Sequence, residues 1–283
     1  MNTLYKILIL LACLVGAVAA VFIFARTRMT PPSSFHAKNM YPKVIEASVD
    51  SLDDYQNISD MRLAHLKLDD KIHRFHTENG IEREQADQYT LKINKVYGEE
   101  LSDYGLGLFN RSTWNDGEIK TMVGWVNELN GAKLSSGDPA IPDDVKDSFA
   151  KINQIYNSYN EALRLANSTG FSSISDAKAK IDKVGNYKND PYLKNNTSLM
   201  NALSNLPGKL AQSHYNYVER LVSSLNGYRS MSPEHFSNLA TKAENALNEY
   251  NKTGIYGSGK PSASGLSNKL NCIEDDALYY FYE

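Results

Sequence analysis

Cysteine is nearly missing from this chain: Cys13 and Cys272 are the only two in 283 residues, and Cys13 sits inside an apolar run. A disulfide framework and a cysteine-ligated zinc site within one chain are thereby excluded, so stability has to come from packing. A surplus of one charge is missing as well. Thirty Lys and Arg stand against 33 Asp and Glu, with no run of basic residues, which leaves nothing to neutralise a phosphate backbone and makes nucleic acid an unexpected partner. The two-residue alternation of a half-buried strand is absent, and so are a Gly-x-Ser-x-Gly elbow, a phosphate-cradling glycine loop and a His-Glu-x-x-His zinc pair. No cofactor and no metal are expected, and no catalysis is required. With 42% hydrophobic and 22% charged residues the composition is that of a folded protein.

One long uncharged run is present. Ile7 to Ala25 are nineteen residues without a charge, and at about 1.5 Å per helical residue they match the roughly 30 Å hydrocarbon core of a bilayer. Lys6 ahead of the run and Ala17-Val18-Ala19 within it also fit a cleaved signal peptide. The hexad Ala20 to Ala25 continues past that site and would be left exposed by cleavage, which favours an uncleaved anchor over residues 7–25 behind a short tail, 1–6. Leu10-Leu11-Ala12-Cys13 is similar to a lipoprotein box but lacks the polar tether that should follow. Lys6 lies on one side of the run and Arg26 and Arg28 on the other, so charge gives no clean orientation. The layout of a short tail before one long apolar segment favours a single-pass protein whose body is outside the cytoplasm. Six Asn-x-Ser/Thr triplets, beginning at Asn57, Asn110, Asn167, Asn195, Asn196 and Asn251, are close to the number that chance supplies.

After a spacer over 26–37, helical periodicity runs through residues 38–253. Val145, Phe149, Ile152, Tyr156, Tyr159, Leu163 and Ala166 make one apolar seam behind Asp143 and Asp144, whose charges suit a helix start. Ser59 is expected to cap a helix that stops at Asn79-Gly80, followed by a second from about Glu82 through Ala86, Tyr89, Ile93, Tyr97, Leu101, Tyr104 and Leu108. Further helices are expected after Asp116, Ser175 and Ser232-Pro233, stopping at Gly131 and Gly185 in the first two cases. The fold class is therefore all-α: a transmembrane helix, then antiparallel helical hairpins packed as a bundle or short repeat array. The repeat rests on Lys92 to Tyr97 being echoed by Lys151 to Tyr156, 59 residues on, with Tyr215 a further 59 along. Chance resemblance between helices rich in Tyr and Asn explains the same echo.

Residues 254–268, with Gly254, Gly257, Gly259, Pro261 and Gly265, are expected to be an irregular linker that releases an aromatic tail over 269–283. In that tail Tyr279, Tyr280, Phe281 and Tyr282 follow Leu278, and they either dock on the body or insert into a partner. Trp114, Tyr187 and Tyr192 are expected in loops beside Asn, Asp and Lys, where aromatic rings suit a sugar or a protein surface. The seam tyrosines Tyr97, Tyr104, Tyr156, Tyr159 and Tyr215 are read as core-boundary packing with wet hydroxyls. His65, Asp69, His73 and His76 share a helix face, but the apolar stripe of Met61, Leu68, Ile72 and Phe75 overlaps it, so no metal site is assigned. A carboxyl such as Glu118, between Trp114 and Trp125, would need burial among apolar groups to act as a general acid. Cys272, unpaired in its own chain, is a candidate for oligomerisation, as is helix packing.

Together these features predict a membrane-anchored helical binding or scaffold protein of the cell envelope, with a protein or glycan partner. An envelope glycan hydrolase, or an adaptor facing the cytoplasm, are the alternatives.

Overall fold

The computed structural model describes residues 34–78 and 80–282, together with the side chains from Met40 onward apart from Asp53. The apolar run at 7–25 lies outside the described residues. Every regular element within them is helical: α1 (Ser34–Asp50), α2 (Ile58–Thr77), α3 (Arg83–Phe109), α4 (Asp116–Asn130), α5 (Asp143–Asn167), α6 (Ile174–Lys188), α7 (Thr197–Ser204), α8 (Leu206–Ser224), α9 (Pro233–Lys252) and α10 (Ser264–Tyr282). The one extended pairing among them is an isolated bridge between Lys133 and Pro139. None of the described helices is long and apolar enough to cross a membrane.

Local chemistry explains the helix ends. Asn57 caps α2, its Oδ1 accepting from the Ser59 amide at 2.8 Å, so the cap falls two residues before the serine that the sequence suggested. Gly80 earns its place by contact, since a Cβ there would collide with the Tyr41 ring, which is stacked on Phe75 at 3.8 Å. Ser232 caps α9 through the His235 amide, and Pro233 takes the first helical position as expected. Ser173, and not Ser175, caps α6, which runs through Gly185 to Lys188. Between α4 and α5 the chain turns at Gly137, whose φ of 92° is one that only glycine adopts without strain.

The chain divides into two compact units. The first consists of the described part of Met1–Leu101 with Glu128–Val145. Its core includes Ile45, Val49 and Leu52, Met61, Leu68 and Ile72 of α2, Ile93, Tyr97 and Leu101 of α3, and Ala140, Ile141 and Val145. The second consists of Ser102–Asn127 with the described part of Lys146–Glu283; it buries Phe109, Met122, Phe149 and Ile152, and it also holds the two apolar clusters that follow. One gathers Tyr159, Ala162 and Ala166 of α5 with Ala177, Leu193, Leu199, Leu203, Leu206 and Leu210. The other joins Val218 and Val222 of α8 to Ala243 and Tyr250 of α9 and to Leu266, Leu270, Ile273 and Ala277 of α10.

Residues 254–268 are not an irregular linker. Tyr256 and Ala263 are buried, α10 already begins at Ser264, and the Tyr250 hydroxyl donates to the Pro261 carbonyl at 2.7 Å. Lys260 donates to the carbonyls of Asn251 and Thr253, at 2.9 and 3.1 Å, and so satisfies acceptors at the C-terminal end of α9. Two apolar anchors and one lysine thus order a stretch whose glycine content suggested none. The aromatic end of the tail is consequently the last turn of a packed helix.

Candidate functional site

The four tail aromatics come to lie on the last two turns of α10. Leu270, Ile273 and Ala277 bury one side of that helix, and at helical spacing this turns Leu278, Tyr279 and Tyr282 away from the core. Their exposures are 57%, 69% and 76%, large values for apolar and aromatic side chains. Phe281 points back and packs on Phe236 and Tyr228, with ring centroids 5.7 and 6.4 Å apart. Tyr280 is half exposed, its hydroxyl donating to the Arg229 carbonyl at 3.3 Å, while the Arg229 guanidinium lies 5.7 Å from the Tyr228 ring and 6.0 Å from the Tyr280 ring. Packing on the body and exposure to solvent are therefore combined on one helix.

Between α9 and α10 lies a groove of about 300 Å³. Phe236, Ala240, Leu278, Phe281 and Tyr282 supply its apolar lining, and Glu244 and Glu274 supply its charge. Burial first, and repulsion from Glu244 next, push the Glu274 carboxyl above its ordinary range. A cation brought into this groove would relieve that repulsion, while a nearby apolar side chain would cover the aromatic wall.

The three expected loop aromatics are placed differently. Trp114 is locked by packing on Phe109 and Tyr159, at 5.0 and 4.9 Å, and by its indole N–H donating to the Arg111 carbonyl at 2.8 Å. Tyr187 lies within α6 and not in a loop, because that helix continues past Gly185; its hydroxyl donates to Glu161 at 3.3 Å. It borders a groove of about 510 Å³ with Glu161, Arg164, Asp176, Lys180 and Lys183 that neither Trp114 nor Tyr192 lines. Tyr192 is half-buried with the Lys151 ammonium 5.3 Å from its ring centroid. Trp114 and Tyr187 both pack against the apolar cluster that holds Tyr159 and Leu193.

Glu118 is not surrounded by apolar groups. Its carboxylate accepts from Arg111 at 3.2 Å and from the Tyr104 hydroxyl at 2.7 Å. Tyr159 likewise donates to Asp116, so the hydroxyls of Tyr104 and Tyr159 are both bonded to carboxylates. Burial, and then bonding to Glu118, raise the Tyr104 hydroxyl to about 12. Cys272 is exposed and free.

Two buried histidines are further sites of polar chemistry. His65 is 6% exposed, stacks on Tyr97 at 4.6 Å and shares a 2.6 Å hydrogen bond with Asn94. Among the described residues, no three His, Cys, Asp or Glu side chains are grouped to hold a metal ion. His214 was missed by the sequence reading, which followed Tyr215; the observed buried ridge of α8 is Leu210, His214, Val218 and Val222, a plain four-residue spacing. That spacing was the available signal.

No protein family matches this chain, and neither a curated protein nor a solved structure is significantly similar to it.

Proposed function

We propose that this chain is a membrane-anchored binding or scaffold protein of the cell envelope. In this reading residues 7–25 form a transmembrane helix, the body stands outside the cytoplasm, and its helices are antiparallel hairpins in a bundle or short array. The face formed by α9 and the end of α10 is its docking surface. The observation that carries the reading is the pairing of exposed Leu278, Tyr279 and Tyr282 with a groove that contains Glu244 and Glu274. Tyr and Leu displayed beside a desolvated carboxylate suit one kind of partner: a protein segment that presents an apolar side chain and, about one helical turn away, Lys or Arg. Glu118 gives no comparable support to hydrolysis, because Arg111 and Tyr104 occupy its carboxylate.

The full chain in detergent tests this with two synthetic helical peptides that differ only in Arg against Glu beside a Leu anchor. The Arg peptide is expected to bind, to weaken with rising salt, and to be lost in a Tyr279→Ser/Tyr282→Ser variant whose melting temperature is unchanged. Equal binding of both peptides, or undiminished binding by the variant, refutes the docking surface. Cleavage of the body by protease added to intact cells tests the topology, and a protected body refutes it.

A further inference from the structure

The first unit contains a cavity of about 140 Å³ that the docking surface does not involve. Its wall includes Arg62, His65, Thr90, Asn94, Tyr97 and Glu128. Hydrogen-bond accounting fixes the chemistry of its floor. The Asn94 amide nitrogen donates to the Ala140 carbonyl at 2.8 Å, so the Asn94 oxygen faces His65 and can only accept. His65 Nε2 must then carry the proton, and Nδ1 bears a lone pair. That Nδ1 is buried and has no hydrogen-bond partner. The Tyr97 hydroxyl is in the same position, on a side chain 1% exposed. Arg62 approaches the Tyr97 oxygen as a donor and so eases the ionisation that burial opposes, which leaves the hydroxyl in need of an acceptor for its own hydrogen.

Two unpaired buried polar atoms on adjacent stacked rings are costly, at about 1–3 kcal/mol each, and a cavity at their side chains is where they regain partners. One atom needs a donor, and the other needs an acceptor. A hydroxyl group serves both without carrying charge. The charged lining is balanced: Arg62 and Lys133 against Asp69 and Glu128, with Arg62 already bonded to Glu128 at 2.7 Å. An ionic ligand gains nothing from such a lining. The space exceeds the few tens of Å³ that one water fills.

We propose that this cavity binds a small neutral polyol, up to the size of a single sugar ring, with one hydroxyl donating to His65 Nδ1 and another accepting from the Tyr97 hydroxyl. Thr90 adds a third polar contact at the wall.

The test uses the full chain, labelled with ¹⁵N at histidine, in a detergent without a sugar headgroup, titrated with glycerol, inositol and glucose. The His65 Nδ1 resonance is expected to move saturably with at least one of them. His214, whose Nε2 is also unpaired but which does not line this cavity, is the internal control and should not move. Tyr97→Phe keeps the ring and its stack and is expected to weaken the response by roughly threefold to tenfold, the worth of one hydrogen bond. Absence of a saturable shift with every probe means the cavity holds water only and overturns the proposal. Equal movement of His214, undiminished binding by a folded Tyr97→Phe, or a stronger response to acetate than to the polyols overturns it too.

Discussion

Acidification is expected to destabilise the second unit through His214. Its ring is fully buried, lies nearly parallel to Phe171 with centroids 3.7 Å apart, and meets the edge of Tyr250 at 5.0 Å. Nδ1 shares a 3.2 Å hydrogen bond with the Tyr256 hydroxyl, and Nε2 has no partner. Burial, with a smaller push from the Lys260 ammonium, lowers its pKa from 6.5 to about 4. The folded state therefore resists a proton that the unfolded chain accepts in that interval. Stability is complete above the unfolded value of 6.5 and is lost as pH falls toward 4. Between about pH 7 and about pH 5 the linkage relation gives a loss of about 2 kcal/mol from this one ring. Burial also lowers His65, which acts in the same direction in the first unit. The measurement is a urea unfolding series across that pH range for the native chain and for His214→Phe, which keeps an aromatic ring against Phe171. Imidazole NMR follows the titration directly. The variant should lose about 2 kcal/mol of the pH dependence, whatever its absolute stability. A His214 midpoint at or above its ordinary value, or an unchanged pH dependence in His214→Phe, would refute the reasoning.

Leu270, 2% exposed in α10, is expected to cost about 3 kcal/mol when changed to Ala, and removing residues 269–283 should lower the melting temperature, because α10 is core and not tail. A truncated chain with unchanged melting temperature would contradict this. Glycines within helices should divide by the space around them. A Cβ at Gly98 would lie 2.6 Å from Cγ1 of the stiff, branched Val145, so Gly98→Ala should destabilise by about 1–3 kcal/mol. Gly124 in α4 has nothing within 4 Å of that position, so Gly124→Ala should stabilise by about 0.5–1 kcal/mol through helix propensity. Denaturation midpoints of the two variants must move in opposite directions. Asn94→Ala strips both the His65 nitrogen and the Ala140 carbonyl of a partner and should cost about 1–3 kcal/mol in the first unit, read by hydrogen exchange of α2 and α3.

The helices, their approximate limits and their buried seams were legible because apolar spacing and capping residues act over a few positions: Val145, Phe149, Ile152 and Tyr159 are all buried as the seam requires. At the repeat's offset Ile93, Ile152 and Ala211 are all fully buried, whereas Tyr97 is buried and Tyr156 and Tyr215 are only half-buried. The candidate site was partly legible. Tyr279, Tyr280, Phe281 and Tyr282 were visible as a cluster, but Glu244 lies 35 to 38 residues away along the chain and joins them only when α9 packs on α10.

By itself, then, the sequence determined a helical body, a composition without disulfide or basic surface, and an aromatic cluster near residue 280, since each follows from residue type and short-range periodicity. Tertiary structure alone decided that a glycine-rich stretch would be ordered by Tyr256, Ala263 and Lys260, and that His214 would displace Tyr215 from the core. It also decided that His65, Asn94 and Tyr97 would enclose a polar cavity. Burial and hydrogen-bond pairing depend on what a second helix brings to the same point in space, and no local pattern in one segment encodes that.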